Sequence, residues 1–225
     1  MNKEYKIIYE SNKLLIVNKP SGLITETNEF EELTLESMYL KYLKEKINHP
    51  FLGVPHRLDR VTSGVLIFAK KRGSLKTLNS WFEKRKIHKT YFAVVKNKPP
   101  AKQGILENYL IKDFLNKKGQ VIDKQKSNAK KAILEYQIID SKESGYLLEV
   151  KPQTGRYHQI RTQLACIGCP IIGDIKYGSK QSYVKGQIAL HAKSIKFPES
   201  INNSPLIFEA DCPLTDLWSA FDTID

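Results

Sequence analysis

The 225-residue sequence is poor in cysteine, methionine and tryptophan, with three, two and two of each. Three cysteines are too few for a disulfide framework, so the composition predicts a reducing, cytoplasmic compartment. No apolar run approaches the ~18 residues that cross a membrane, so we expect no membrane partner. Neither a P-loop nor a G-x-G-x-x-G or G-x-S-x-G motif occurs. Nucleotide-driven, dinucleotide-dependent and α/β-hydrolase chemistry are therefore not expected.

Acidic residues are scarce relative to basic ones: 24 Asp and Glu stand against 36 Lys and Arg, a net charge of +12. The excess lies in residues 70–131, which hold 18 basic and 4 acidic side chains. Residues 1–69 carry nine of each, and residues 132–225 carry nine basic and 11 acidic ones. Such a concentration indicates a polyanionic partner, nucleic acid before a membrane surface. The alternative is a solvated, lysine-rich face.

Arginine is the rarer of the two basic residue types, with six copies against 30 lysines. Two short motifs hold four of the six: Arg57, Arg60, Arg156 and Arg161. Arginine offers a planar, bidentate fork to carboxylate or phosphate, whereas lysine is a hydrated point charge. The motif arginines are therefore interpreted as placed for geometry.

The order of the predicted elements favours an α+β fold over a doubly wound parallel sheet, because strands and helices do not alternate as in βαβ units. A single domain over residues 1–225 is expected. The predicted strands cover residues 13–17, 65–69, 91–95, 132–139, 146–150, 188–197 and 206–210. The predicted helices cover 33–47, a segment capped by Ser74 with cations 84–86 at its end, 160–167 and 214–221. Residues 97–131 are interpreted as strand fragments joined by an exposed basic loop or hairpin.

The densest polar cluster is residues 55–64, which lead into the apolar strand at 65–69. Arg57 and Arg60 flank Asp59, and opposite charge nearby favours the carboxylate form. Asp59 is therefore a candidate nucleophile, general base or metal ligand. A structural Asp in an ion-paired turn is the alternative.

A second cluster spans residues 154–161. If a helix begins near Arg156, His158 and Arg161 lie three residues apart on one face. A turn before a helix also offers free backbone N–H groups to an anion, so a phosphate-binding turn and a surface helix end stay open as alternatives.

Metal chemistry is not favoured by the cysteines and histidines. Cys166 and Cys169 have C-x-x-C spacing, but no second cysteine pair accompanies them. His56, His158 and His191 show no i, i+4 pair, so hydrogen-bonded histidines in a polar cleft are preferred to a metal site.

These motifs together resemble the RluA family of pseudouridine synthases. The similarity extends in order along the chain, at residues 17–22, 56–70, 89–91, 154–161, 170–178 and 190–192. It implies a pseudouridine-synthase fold, in which helices flank a mixed, mainly antiparallel sheet with a central active-site cleft. It also implies the isomerisation of uridine to pseudouridine in structured RNA, ribosomal or transfer. No cofactor or metal is implied, and a monomer without an obligatory protein partner is expected.

The resemblance also implies residue roles. Asp59 is the expected catalytic carboxylate, attacking a flipped-out uridine at the sugar or the base. Tyr91 is expected to stack on the base and help remove the proton from carbon 5, and Arg161 to pair with Asp59. Arg57 is expected to enter the space left by the flipped nucleotide. Further expected substrate contacts are His56, Arg156 and Leu190.

Two positions depart from the family pattern: Tyr157 stands where Thr is frequent, and Val61 where an acidic residue or Pro is frequent. Because the motifs begin close to Met1, we expect a short form without the N-terminal RNA-binding domain of many members. Segment 70–131 is then the candidate RNA-binding region. The rival hypotheses are a base-excising nucleic-acid glycosidase and a non-catalytic RNA-binding or ribosome-assembly module.

Overall fold

The computed structural model describes residues 6–30, 33–123, 128–201 and 203–222. The chain divides into two compact units. The first contains the described residues of Met1–Lys89 and Ala192–Asp211. The second contains those of Thr90–His191 and Cys212–Asp225.

The described residues form strands, α-helices and one 3-10 turn. The strands are β1 (Ile7–Glu10), β2 (Leu14–Lys19), β3 (Ser63–Ala69), β4 (His88–Val95), β5 (Gln103–Asp113), β6 (Lys118–Ile122), β7 (Lys130–Lys142), β8 (Gly145–Pro152), β9 (Leu190–Lys196) and β10 (Ile207–Glu209). The α-helices are α1 (Leu35–Lys44), α2 (Arg72–Glu83), α3 (Gln159–Cys166) and α4 (Asp216–Ser219), and a 3-10 turn spans Ile175–Tyr177.

In the first unit, β2 pairs antiparallel with both β1 and β3, and β9 pairs antiparallel with β10. The residues of β3 are all buried, as expected for an apolar strand covered on both faces. The core combines aliphatic side chains of β2 and β3 with Trp81 and Phe197. Gly64 is required at the start of β3, because a Cβ there would lie 2.3 Å from the Ala192 carbonyl oxygen. The φ of Gly64, +115°, is also one that L side chains rarely adopt.

In the second unit, the strand order is β4-β8-β7-β5-β6, with every neighbouring pair antiparallel. Buried and more exposed residues alternate along the first part of β7, so one face of the sheet is solvated. Helix α3 packs on this sheet, where the Gln163 amide nitrogen donates to the carbonyl oxygens of Leu106 (3.0 Å) and Ala132 (3.3 Å). The predicted α+β class with a mainly antiparallel sheet is confirmed.

The helix ends differ from the prediction in part. Helix α1 begins after Thr34, whose hydroxyl accepts from the Ser37 N–H while the Ser37 hydroxyl accepts from the Thr34 N–H, both at 3.0 Å. These two bonds satisfy otherwise free donors. The predicted helix through 33–47 is thus too long, and Ile47 lies beyond its end.

Helix α2 corrects another prediction. Ser74 is not its cap, because the Leu75 N–H already donates to the Lys71 carbonyl oxygen at 3.0 Å and the helix begins at Arg72. The cations at 84–86 follow the helix rather than occupying its last turn, since the chain turns left-handed at Arg85, with φ of 55°.

The predicted exposed basic loop or hairpin within 97–131 corresponds to β5, a turn and β6, while residues 124–127 of that segment lie outside the described residues. Over the ranges that are described, no helix is long and apolar enough to cross a membrane.

Candidate active site

Asp59 lies in the loop that leads into β3 and is half-buried. Its carbonyl oxygen accepts from the Thr62 N–H at 3.0 Å, which closes a turn immediately before the strand. The Asp59 carboxylate therefore lies on a short turn, and the residues that follow this turn form β3 in the sheet of the first unit.

The Lys19 ammonium group fixes the backbone of this turn through hydrogen bonds. Lys19 is fully buried at the end of β2. Its Nζ donates to the carbonyl oxygens of Pro20 (3.0 Å), Arg60 (3.2 Å) and Thr62 (2.8 Å). Burial lowers the pKa of Lys19 to about 7, and the negative charge of Asp59 acts in the opposite direction. Lys19 thus fixes the backbone that follows Asp59. Its ammonium group, whose charge depends on pH, also interacts electrostatically with the Asp59 carboxylate.

Three more hydrogen bonds tie the segment after Lys19 to the same loop. They are the Ser21 hydroxyl to the Val61 carbonyl (3.0 Å), the Gly22 N–H to the Arg60 carbonyl (2.7 Å) and the Thr25 hydroxyl to the Leu58 carbonyl (3.2 Å). The segment that follows Lys19 and the Asp59 loop, which are 40 residues apart in sequence, are therefore joined by several hydrogen bonds.

His56 supports the strand that follows the loop. Its Nε2 accepts from the Ile67 N–H at 3.1 Å, and its ring stacks on Phe82 with centroids 4.8 Å apart. Burial, with a smaller effect of the nearby Lys89, lowers the pKa of His56 to about 3. The ring is therefore neutral at physiological pH. The expected substrate contact of His56 stays a prediction.

Arg57 is exposed and points its guanidinium to Glu26, with Nη1 donating to Oε2 at 3.0 Å. The side chains are 70% and 39% exposed, and ion pairs of this kind are worth only ~0–1 kcal/mol. Arg57 can therefore leave Glu26 at little cost.

The second motif forms a turn and then a helix, which agrees with the predicted helix at 160–167 to within one residue at each end. Helix α3 starts at Gln159, and His158 precedes it in a left-handed conformation with φ of 51°. The Gln159 side-chain oxygen accepts from the Arg156 N–H (2.9 Å) and the Thr154 hydroxyl (2.7 Å). These bonds hold residues 154–158 as a turn. A helix start near Arg156, the condition under which His158 and Arg161 would share a helix face, is therefore not met.

Arg161 is buried and forms a bidentate ion pair with Asp174. Its Nε donates to Oδ2 at 2.7 Å and its Nη2 to Oδ1 at 2.8 Å, while the side chains are 6% and 1% exposed. The guanidinium also lies over the Tyr177 ring, 4.9 Å from the centroid. Sequence reasoning placed Asp174 in a motif but gave it no role; the only signal was its position in the segment that follows α3.

The Tyr177 hydroxyl joins three parts of the second unit. It accepts from the Gly119 N–H at 2.6 Å and lies 2.9 Å from His158 Nδ1 and 3.3 Å from the Thr162 hydroxyl. Burial is the largest influence on Tyr177 and raises its pKa. The β5–β6 hairpin, the turn before α3 and the Arg161 site are therefore connected through one phenol group.

The remaining predicted site residues also lie in the second unit. Tyr91 is buried in β4 opposite Val150 of β8, and Leu190 is buried at the start of β9. Arg156 donates from Nε to the Lys131 carbonyl oxygen at 2.9 Å. Asp59, Arg57 and His56 by contrast belong to the first unit.

No cluster suited to a metal ion occurs in the described part of the chain, where no three or more His, Cys, Asp or Glu side chains group together. Cys166 is exposed and Cys169 buried, and burial raises the pKa of the Cys169 thiol.

Comparison with known families decides between the hypotheses. Residues 13–166, which include the Asp59 loop, Tyr91 and the turn before α3, match the family model described as RNA pseudouridylate synthase. The chain belongs to this family. The predicted resemblance to the RluA synthases and the predicted activity, RNA pseudouridine synthase, are thereby confirmed.

Curated relatives of this synthase agree. The ribosomal large subunit pseudouridine synthase C of Rickettsia felis is 37% identical over 213 residues, which cover 92% of this chain and 67% of that protein. The ribosomal large subunit pseudouridine synthase D of Borreliella burgdorferi is 33% identical over 199 residues, covering 84% and 59%. This synthase thus spans 67% of the length of the first relative and 59% of the length of the second.

Solved structures confirm the fold. Human RNA pseudouridylate synthase domain containing 4 superposes with a TM-score of 0.77 at 24% identity, covering 93% of this chain and 89% of its own. Human RNA pseudouridylate synthase domain containing 1 gives a TM-score of 0.71 at 23% identity, with 87% and 79% covered.

Proposed function

We propose that this synthase isomerises one or more uridines of ribosomal RNA to pseudouridine, with Asp59 as the catalytic carboxylate. The observation that carries the proposal is the Asp59 turn, fixed by Lys19 through three carbonyl hydrogen bonds. A carboxylate presented on a rigid, half-buried turn suits attack on a nucleoside. The curated relatives, named for the large ribosomal subunit, support ribosomal RNA as the substrate.

The proposed reaction starts with extrusion of the uridine, which costs a few kcal/mol for a stacked base. Arg57 fills the vacated space, because its surface pair with Glu26 is weak and a guanidinium plane replaces lost stacking. Asp59 then attacks as the bond between C1′ and N1 breaks. The detached uracil turns, a new bond forms between C1′ and C5, and the bond between Asp59 and the nucleoside breaks, which regenerates the carboxylate.

Tyr91 and Arg161 serve the later steps in this proposal. When C5 bonds to the sugar it must lose its proton, and Tyr91 stacks on the base and assists that transfer while N1 takes up a proton. Arg161 pairs with Asp59 and orients it, while Asp174 holds the Arg161 guanidinium in place. His56, Arg156 and Leu190 remain proposed substrate contacts. No cofactor or metal takes part in any step.

The test of the substrate is a map of pseudouridine across total RNA from a deletion strain and its parent. We expect the deletion to remove one or more pseudouridines of the large-subunit ribosomal RNA and restoration of the gene to return them. Loss confined to transfer RNA would contradict the proposed substrate. Release of free uracil by the purified protein would favour the base-excising alternative.

We also propose that the synthase acts in the cytoplasm as a monomer without an obligatory protein partner. The low cysteine content supports a reducing compartment. Sedimentation of the purified protein with and without RNA tests the monomer, and a dimer at assay concentration would contradict it.

A further inference from the structure

The turn of the β5–β6 hairpin exposes two large apolar side chains that folding does not require. Phe114 is 77% and Leu115 90% exposed. Lys117 adjoins them and is exposed as well. An exposed aromatic ring beside cations is the composition found where proteins stack unpaired nucleic-acid bases and contact phosphates.

Phe114 belongs to an ordered row of side chains. The Lys112 ammonium lies 4.7 Å from the centroid of the Phe114 ring and 4.7 Å from that of Tyr157. Tyr157 in turn stacks on His158, with centroids 3.9 Å apart and the planes 18° from parallel. The outer ring of the row is the exposed Phe114, and the inner rings belong to the turn before α3.

The hairpin turn is held firmly against that segment. The Tyr157 hydroxyl donates to the Lys117 carbonyl oxygen at 3.2 Å, and the Lys176 ammonium donates to the same oxygen at 3.1 Å. A Cβ at Gly119 would lie 2.5 Å from the Thr162 hydroxyl oxygen, so the hairpin and α3 are in close contact. A base bound at Phe114 would therefore meet a surface that is already ordered, which lowers the entropic cost of binding.

Asp113, the carboxylate of the hairpin turn, is not placed to react with a bound base. Asp113 accepts from the Asn116 backbone N–H (3.0 Å) and side-chain amide (2.7 Å), and these bonds lower its pKa. Its role is to shape the turn. A nucleotide that stacks there is thus bound rather than converted.

We propose that Phe114, together with Lys112 and Tyr157, forms a stacking site for an unpaired base of the RNA substrate other than the uridine that reacts. The proposal rests on the proposed function for the identity of the polymer. A base covers the exposed face of Phe114, and the phosphates next to it lie near Lys112 and Lys117. The position of Tyr157 at the turn before α3 gives the site a direct connection to the second motif.

Binding of a fluorescent 12-nucleotide oligouridine to the full chain tests the site. Phe114→Ala should weaken binding about five- to tenfold at fixed salt, as expected for the loss of one stacked base. Phe114→Trp should bind at least as tightly as the wild-type protein. The matched control is Ile105→Ala, because Ile105 is an exposed apolar residue of β5, the strand that leads into the turn, about 30 Å from Phe114.

An oligomer of the same length with abasic positions separates base stacking from phosphate binding. The wild-type protein and Phe114→Ala should bind it equally. If Phe114→Ala binds oligouridine within twofold of the wild type, or loses the same factor with the abasic oligomer, the stacking site is wrong. Pseudouridine formation measured in parallel isolates the proposed function, because its absence alongside Phe114-dependent binding would overturn only that function.

Discussion

A buried arginine is tolerated at position 161 because Asp174 matches it in charge and geometry. Two short charge-assisted hydrogen bonds join the groups, and both side chains are almost fully buried. Removing one partner of such a pair leaves the other as an uncompensated charge, whereas replacing both by apolar groups costs far less. The pair therefore fixes the orientation of the Arg161 guanidinium more than it stabilises the fold.

We expect Asp174→Asn to lower the free energy of unfolding by about 3–5 kcal/mol, because the Arg161 charge stays buried without its carboxylate. Urea unfolding at neutral pH measures the change, and the exposed Asp211→Asn is the matched control. The double variant Arg161→Met with Asp174→Leu should be more stable than Asp174→Asn yet form no pseudouridine. A double variant less stable than Asp174→Asn would contradict this account of the pair.

His56 predicts a pH dependence of stability. In the unfolded chain a histidine binds its proton below about pH 6.5, but burial lowers the pKa of His56 to about 3 in the folded protein. The unfolded state therefore binds more protons between these values. The stability that neutral His56 contributes is complete above pH 6.5 and is lost as the pH falls toward 3.

The variant His56→Gln removes this titration and still offers an acceptor to the Ile67 N–H. Between pH 6 and 4 we expect the free energy of unfolding of the wild type to fall more steeply than that of the variant, by about 1 kcal/mol per pH unit. Urea unfolding at several pH values measures both slopes, with the exposed His49→Gln as the control. Equal slopes for the wild type and His56→Gln would show that the His56 ring titrates normally.

At the scale of elements, the Asp59 turn depends on a segment 40 residues earlier in the chain. We expect Lys19→Met to lower the free energy of unfolding by about 1–3 kcal/mol, because the Pro20 and Thr62 carbonyl oxygens lose their donor. The turnover rate should fall at least about tenfold, while RNA affinity changes little. Lys41→Met, at an exposed position of α1, is the control in both measurements. Full turnover in Lys19→Met would contradict the positioning role of Lys19.

Strands β2 and β3 could be predicted from the sequence because continuous apolar runs between turn residues have one stable solution, burial on both faces. Strand β1 was not predicted, because its four half-buried residues, Ile7–Glu10, follow no decisive period. The start of α2 was misplaced because a backbone bond to Lys71, and no side-chain cap, sets it.

The candidate site shows the same division. Asp59 and Arg161 could be proposed because polar residues cluster around them and match a family pattern. The burial of Lys19 and the partner of Arg161 are tertiary results, since they depend on which carbonyl oxygens and carboxylates the fold brings near. Neighbouring residues in the sequence therefore do not predict the contacts of Lys19 or the pairing of Arg161 with Asp174.

For the whole molecule, the charge asymmetry indicates where RNA is held. Four lysines of segment 70–131 lie near two strand starts: Lys117 ends the β5–β6 turn, Lys118 begins β6, and Lys130 and Lys131 begin β7. We expect their ammonium groups to contact the phosphate backbone of the RNA. Lys131 pairs with Glu107 at 2.6 Å, and Lys118 lies opposite Asp113 in the register of β5 and β6.

Changing all four lysines to Gln should weaken RNA binding and flatten its salt dependence by about 2–3 units of log K against log salt, since each phosphate contact contributes up to ~0.9. The chemical step at saturating RNA should be unchanged. Lys41, Lys44, Lys180 and Lys185 changed together are the control, because they are exposed and lie outside the basic segment. An unaltered slope in the test variant would show that this segment is only a solvated face.

The most direct measurement of the central claim is tritium release from ribosomal RNA labelled at carbon 5 of uridine. Bond formation at C5 expels that hydrogen, so each pseudouridine releases one label. The wild-type protein and the exposed control Asp211→Asn should release tritium, whereas Asp59→Asn should release none while binding the RNA within a few fold of the wild type. Tritium release by Asp59→Asn at the wild-type rate would contradict the assignment of Asp59 as the catalytic carboxylate.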